Sequence, residues 1–169
     1  LDEDIDFKNT LLTLPIKRRL LIRDEARDIE LAPQDIGVGI SQVLPVVVAA
    51  LHHKTGYVMI EQPELHIHPA IQVALGDLFI EQIQNATDLT FILETHSEHL
   101  MLRLLRRIRE TGEDTVHESK SLSPNALSIY FIEQGDEGIS CHSIRVDQDG
   151  DFIDRWPKGF FNERVKELY

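Results

Sequence analysis

Tyr57-Val58-Met59-Ile60-Glu61-Gln62-Pro63-Glu64-Leu65-His66-Ile67-His68-Pro69 is the stretch that decides the fold. Its first four residues are wholly apolar, which suits a short buried parallel strand over 57–60. Glu61 ends the strand. Pro69 opens a helical pattern through Gln84, with Ile71, Ala74, Leu75, Leu78, Phe79 and Ile83 at helical spacing. Asn85 to Asp88 reads as a turn and Thr90-Phe91-Ile92-Leu93 as a second buried strand. Such a strand–helix–strand unit makes its strands parallel, and the crossover is nearly always right-handed. Both carboxyl ends then lie at one sheet edge, where open α/β sheets bind ligands. Glu61-Gln62-Pro63-Glu64 follows the first strand and Glu94-Thr95-His96-Ser97 follows the second, so two polar clusters converge there.

Outward from this unit the pattern stays mixed α/β. Residues 18–32 read as a β-hairpin turning near Asp24-Glu25, and Pro33 stops its second strand. Asp35 to Gln42 is a Gly-containing loop. The apolar run Val43 to Leu51 follows, with Pro45 in the first turn of a helix. Ser97 to about Glu110 forms a helix, and residues 111–124 read as a mobile polar loop. Strands are expected over 128–133 and 141–146, joined by a turn at Gly135 to Gly138. Asp147 to Tyr169 forms a tail with Trp156-Pro157-Lys158-Gly159-Phe160-Phe161 and a short terminal helix.

Composition narrows the function. The 169 residues carry 17 Lys and Arg against 29 Asp and Glu, a net charge of −12. That argues against a general nucleic-acid-coating role, though not against a local basic strip. The run Val43 to Leu51 is far short of the roughly 20 residues that span a bilayer, so no membrane partner is expected. Cys141 is the single cysteine, which rules out an intrachain disulfide and makes a cytoplasmic location the simplest reading. The chain opens on Leu1 rather than Met and reads as part of a longer protein.

An apolar strand ending in acid is what Mg–nucleotide chemistry needs. The acid holds magnesium, usually through water. A neighbouring polar group positions the attacking water, and a histidine on the next strand can hold the γ-phosphate. The plainer alternative is that Glu61 and Glu64 decorate a turn and favour the dipole of the helix behind it. In the loop before the apolar helix, Gly37 and Gly39 let backbone N–H groups approach an anion. Ser41 and the helix start add donors. Here the plainer alternative is a glycine turn capping a core helix.

Residues 58–69 resemble the Walker B and D-loop region of ABC-type, AAA-family P-loop ATPases. They are most similar to the branch with SMC-like, DNA-repair and overcoming-lysogenization-defect proteins, where Pro-Glu and Leu-His-Pro often follow the Walker B. Thr90 to Leu100 resembles the switch-histidine strand and helix. Gly37-Val38-Gly39-Ile40-Ser41-Gln42 resembles a divergent signature motif. Trp156 to Phe161 resembles the small C-terminal extension of an uncharacterised bacterial family of such ATPases. The resemblance implies an α/β fold, the C-terminal lobe of an ABC-type P-loop NTPase head with a parallel sheet flanked by helices. It implies ATPase-domain residues over 1–146 and the extension over 147–169. It also implies ATP and Mg²⁺ as cofactors, with Glu61 at the metal and Gln62, Glu64 and His96 in catalysis. Gly37, Gly39, Ser41 and Gln42 would contact ATP bound to a second copy, giving a homodimer through ATP. Related ATPases often accompany nucleases or act in anti-phage defence, so an effector nuclease is an expected partner, and DNA another.

The sequence departs from that family pattern in three ways. No Gly-x-x-x-x-Gly-Lys-[Ser/Thr] phosphate loop is present. The resemblance places it on a missing N-terminal half carrying the Walker A motif, so the fragment alone should be inactive. Gln62 stands where these enzymes usually carry a catalytic glutamate, and an amide orients water but takes no proton at neutral pH. Three readings stay open: a native glutamine with slow hydrolysis, Glu64 as the base, or an engineered trap. Glu61 replaces the usual Asp, keeping the charge with a longer reach.

Other clusters have competing readings. His66, His68, His96 and His99 with the nearby glutamates could form a transition-metal hydrolase site. The ordinary alternative has His66 and His68 packed in their loop, one capping helix 69–84. Arg103, Arg106 and Arg107 share a helix face with i, i+3, i+4 spacing. They read as a solvated face, or as a strip for DNA phosphates or a partner protein. Asp147, Asp149 and Asp151 around Gly150 lack the later bidentate acid of a calcium loop, since Lys158 stands there.

Overall fold

A computed structural model of the chain describes residues 20–136 and 138–155. The N-terminal residues 1–19 and the tail motif Trp156 to Phe161 with its expected helix lie outside the described residues. Element order is β1 (Ile22–Asp24), β2 (Ile29–Leu31), α1 (Pro33–Ile36), α2 (Val38–His52), β3 (Thr55–Glu61), α3 (Pro69–Gln84), β4 (Asp88–Glu94), α4 (Glu98–Gly112), β5 (Ile129–Gly135) and β6 (Gly138–Ile144). Among the described residues the strands form three separate pairs.

The order and parallel pairing of the central unit are as the periodicity predicts, but both strands are longer than 57–60 and 90–93, and β3 is buried on one face only. β3 and β4 pair in parallel, with Tyr57 opposite Thr90, Met59 opposite Ile92 and Glu61 opposite Glu94. α3 connects them over the expected residues, with Pro69 in its first turn and the His68 side chain capping it through Nδ1 to the Ala70 N–H at 3.1 Å. One face of the pair, with Val58, Ile60, Phe91 and Leu93, packs toward α2, α3 and α4. Val43, Ala50, Ile67, Leu75, Phe79 and Leu100 form the buried centre there. The Phe79 and Phe91 rings meet at 4.9 Å. A second cluster, Ile80, Leu104, Ile108 and Leu122, lies between α3, α4 and the loop after them.

The opposite face of β3 and β4 is bare among the described residues. Tyr57 and Met59 are each 74% exposed and Ile92 is 47% exposed. The expected flanking by helices therefore holds on one side only, although parallel sheets are normally covered on both. Among the described residues no helix is long and apolar enough to cross a membrane.

Three local expectations are corrected. The helix after Gly37 starts at Val38, not near Val43, so Pro45 lies inside α2 rather than in its first turn. The segment 111–124 is not one featureless loop: it takes in the end of α4 and the 3₁₀ turn Glu118–Lys120, and is anchored near its end. Leu122 is buried, its N–H bonds Thr111 Oγ1 at 2.9 Å, and Gln84 Nε2 donates to Ser121 O at 2.7 Å. The last strand runs from Gly138 to Ile144, earlier than 141–146, because the chain reverses tightly between the paired Gly135 and Gly138.

The arginines of α4 face carboxylates of the same chain. Arg107 makes a two-pronged contact with Asp77 on α3, Nε to Oδ1 and Nη2 to Oδ2, both at 2.8 Å. Arg103 and Lys120 approach the same Asp77 at 3.7 and 3.6 Å. Arg106 and Arg107 bond Glu110. Arg109 donates to Asp149 O at 2.9 Å and pairs with Asp151. Of the two readings of these arginines, solvated face or strip for phosphates or a partner, neither describes Arg103 and Arg107, which are mostly buried against carboxylates of the chain, whereas Arg106 is solvated. Burial opposes ionisation of Asp77, but the Arg107 hydrogen bonds and the Arg103, Arg107 and Lys120 charges outweigh it and hold the carboxyl below its ordinary value.

The acidic loop 147–151 is also accounted for by the fold. Asp147 Oδ1 accepts from the N–H groups of Asp149 and Asp151, each at 2.9 Å. Gly150 lies so close to α4 that a Cβ would sit 2.2 Å from Leu105 O.

Candidate functional site

The site forms at the carboxyl ends of β3 and β4. Gln62 N donates to Glu94 O at 2.8 Å, which carries the parallel ladder one step past the strand. The chain then turns sharply. Gln62 (φ 45°) and His66 (φ 59°) both take the left-handed conformation that non-glycine residues rarely adopt. Leu65 N to Gln62 O at 3.1 Å and Ile67 N to Glu64 O at 3.3 Å close the turn, with Pro63 buried inside it.

Glu64 ties this turn to the end of β4. Its Oε1 accepts from the His96 N–H at 2.7 Å and its Oε2 from the Thr95 hydroxyl at 2.8 Å. Thr95 Oγ1 also accepts from Ser97 N at 3.0 Å. Ser97 Oγ caps α4 through the Leu100 N–H at 2.9 Å and lies 2.6 Å from Gln72 Oε1, to which its hydrogen points. Gln72 Nε2 donates to Ile67 O at 3.1 Å, returning to the first turn. The two polar clusters are therefore cross-linked through Glu64 and Gln72.

An open cleft of about 480 Å³ lies over this network, lined by Gln62, Glu64, Gln72, His96, Ser97 and His99 among others. The His96 ring is largely exposed, with Nε2 4.0 Å from Glu94 Oε1. Glu61 is exposed and stands beside Glu94 in the strand register. One or two carboxylates with room for water suit Mg²⁺, which keeps much of its hydration shell. Among the described residues no three His, Cys, Asp or Glu side chains gather to hold an ion.

The glycine motif abuts the site from the other side. A Cβ on Gly39 would sit 2.5 Å from His66 O, so this position needs glycine for close approach to the 63–66 turn. Gly37, at φ 111°, faces open space, and no side chain caps α2 there. Gln42 is exposed. The Ser41 hydroxyl lies 3.1 Å from Gly37 O and 3.0 Å from Val38 O, directed back onto its own helix. Gly37, Gly39, Ser41 and Gln42 do not line the cleft.

Sequence reasoning placed Thr95 and Ser97 in the second polar cluster without giving them a role, and missed Gln72. Gln72 had a readable signal, a polar side chain at helical spacing from Leu75, Phe79 and Ile83. Ser97 had another, a capping residue immediately before a helical pattern.

A family model described as "AAA domain, putative AbiEii toxin, Type IV TA system" matches residues 3–103. A model of a protein family of unknown function, DUF3696, matches residues 122–169. No curated protein and no solved structure gives a match. The first model spans more than half of the 169 residues and contains the glycine motif, both parallel strands and the cleft, so the chain belongs to this AAA-domain family of P-loop ATPases.

Proposed function

We propose that the chain is the C-terminal lobe of an ABC-type ATPase head that binds and hydrolyses ATP and dimerises around it. The observation that carries this reading is the shared cleft. Parallel register and the Glu64 bridge bring Gln62 and His96 to one sheet edge, with Glu61 and Glu94 beside them. In this reading Gln62 orients the attacking water and His96 donates to the γ-phosphate as charge develops there. Glu61 holds Mg²⁺, which supplies charge neutralisation on the phosphate oxygens when bound.

The sheet edge is rich in acids, and among the described residues no Lys or Arg lines the cleft, so a polyanion needs positive partners from elsewhere. A phosphate loop from another segment is therefore part of the proposal. The bare apolar face of Tyr57, Met59 and Ile92 supports it, since a parallel sheet needs cover there. Gly37 and Gln42, with the uncapped start of α2, lie outside this cleft and face the ATP of a second copy, while Gly39 lets the motif pack against the 63–66 turn. Ser41 joins them by turning its hydroxyl outward. The head occupies residues 1–146, and 147–169 form a C-terminal extension. We also propose that the head controls a partner effector, a nuclease among the candidates, in anti-phage defence in the cytoplasm; the matching family's description, which names a type IV toxin–antitoxin system, supports only a partner-linked role.

A second reading is a nucleotide-gated scaffold with little turnover. Gln62 favours it, because an amide orients water without accepting its proton. Phosphate release from ATP by the whole protein, beside His96→Ala and Gln62→Glu, tests both. Mg²⁺-dependent release that falls in His96→Ala supports the ATPase, and faster release in Gln62→Glu identifies the glutamine as a brake. ATP binding with no release from any version supports the scaffold, and no binding refutes both.

A further inference from the structure

We propose that Glu64 is a positioning residue for His96 and not the base. This inference rests on the reading that His96 contacts the nucleotide. Glu64 stands 32 residues before His96, yet its two carboxylate oxygens hold the His96 N–H and the Thr95 hydroxyl at 2.7 and 2.8 Å. Hydrogen bonds to a charged acceptor are among the stronger ones a protein makes. Thr95 passes the constraint on, because its oxygen accepts from Ser97 N. The backbone on both sides of His96 is therefore set by one carboxylate.

The other end of the strut is fixed as well. Glu64 sits between two left-handed residues, in a turn closed by two backbone hydrogen bonds. The His66 carbonyl of that turn rests against Gly39, leaving no space for a methyl group. A shift of the turn would move Gln62 and, through Glu64, would move His96 with it. Glu64 thus keeps the water-orienting amide and the phosphate-facing imidazole in one fixed relation.

Substitutions separate this role from that of a base. Glu64→Gln keeps an oxygen for the His96 N–H, and its NH₂ can donate to the Thr95 oxygen. It removes the charge and keeps the geometry. Glu64→Ala removes both. A misplacement of about 1 Å in a reacting group lowers rates by about 10²-fold.

The whole protein is assayed for phosphate release from Mg–ATP, with ATP affinity measured by equilibrium binding. For Glu64→Ala kcat should fall about 10²-fold, no lower than in His96→Ala, with KM and ATP affinity changed less than about 2-fold. Glu64→Gln should lose less than about 5-fold, and Thr95→Val, which keeps shape and removes one hydrogen bond, about 10-fold. Equal losses in Glu64→Gln and Glu64→Ala would overturn the inference and make Glu64 the base. A Glu64→Ala rate well below that of His96→Ala would also overturn it, since Glu64 would then act other than through His96. Wild-type release that His96→Ala leaves intact would instead overturn the ATPase reading of His96, a result distinguishable from the other two.

Discussion

Asp77→Ala is the sharpest test of how α3 and α4 are joined. Asp77 accepts two 2.8 Å hydrogen bonds from Arg107 and has Arg103 and Lys120 within 3.7 Å. Its own side chain is 16% exposed, and those of Arg107 and Arg103 are 13% and 18% exposed. Removing the carboxylate strands two largely buried guanidinium groups. An unpaired buried charge costs about 3–5 kcal/mol. Glu110 still holds Arg107 and some water reaches the site, so the expected loss is about 2–4 kcal/mol. Urea unfolding at pH 7 should show a lower midpoint with an unchanged slope. A loss under about 1 kcal/mol would refute the view that this cluster joins the helices.

Three further predictions follow from the same geometry. The Asp77 carboxyl is held below its ordinary 3.8, so its contribution is present above that value and fades as pH falls through the lower folded-state value. Wild type and Asp77→Ala should therefore converge in stability as acid unfolding titrations pass below 3.8 and through the lower folded-state value, and a gap that does not narrow on acidification would contradict the assignment. Gly150→Ala combines a positive φ of 73° with a Cβ 2.2 Å from Leu105 O on a helix backbone. It should lose about 2–4 kcal/mol by thermal unfolding, and an unchanged midpoint would show that the 147–151 loop does not dock on α4. Gly39→Ala gains about 1 kcal/mol of helix propensity but drives a methyl group to 2.5 Å from His66 O. A net destabilisation of about 1–2 kcal/mol is expected, and a more stable protein would show that the turn yields freely.

The strand–helix–strand unit was legible because each part depends on local periodicity. Pro69 and the apolar positions through Ile83 mark α3 at both ends, and two short apolar runs ending in acid mark the strands. The start of α2 was not legible. Gly37 and Gly39 have the composition of a loop, yet Gly39 lies in a helix, where a carbonyl from the 63–66 turn leaves no room for a Cβ. The arginines of α4 looked like a free strip because their partner Asp77 is on another helix, 30 residues from Arg107. Glu64 was legible as a carboxylate near the site. Its attachment to Thr95 and His96 depends on how far the turn folds back, which spacing does not encode.

The central claim is that Gln62 and His96 face the γ-phosphate of one bound nucleotide. The most direct test is a structure of the whole protein with Mg²⁺ and a non-hydrolysable ATP analogue. The account predicts His96 within hydrogen-bonding distance of the γ-phosphate, Gln62 facing it, and Glu61 at the metal or one water away. A nucleotide bound away from this sheet edge, with His96 still exposed to solvent, would contradict it.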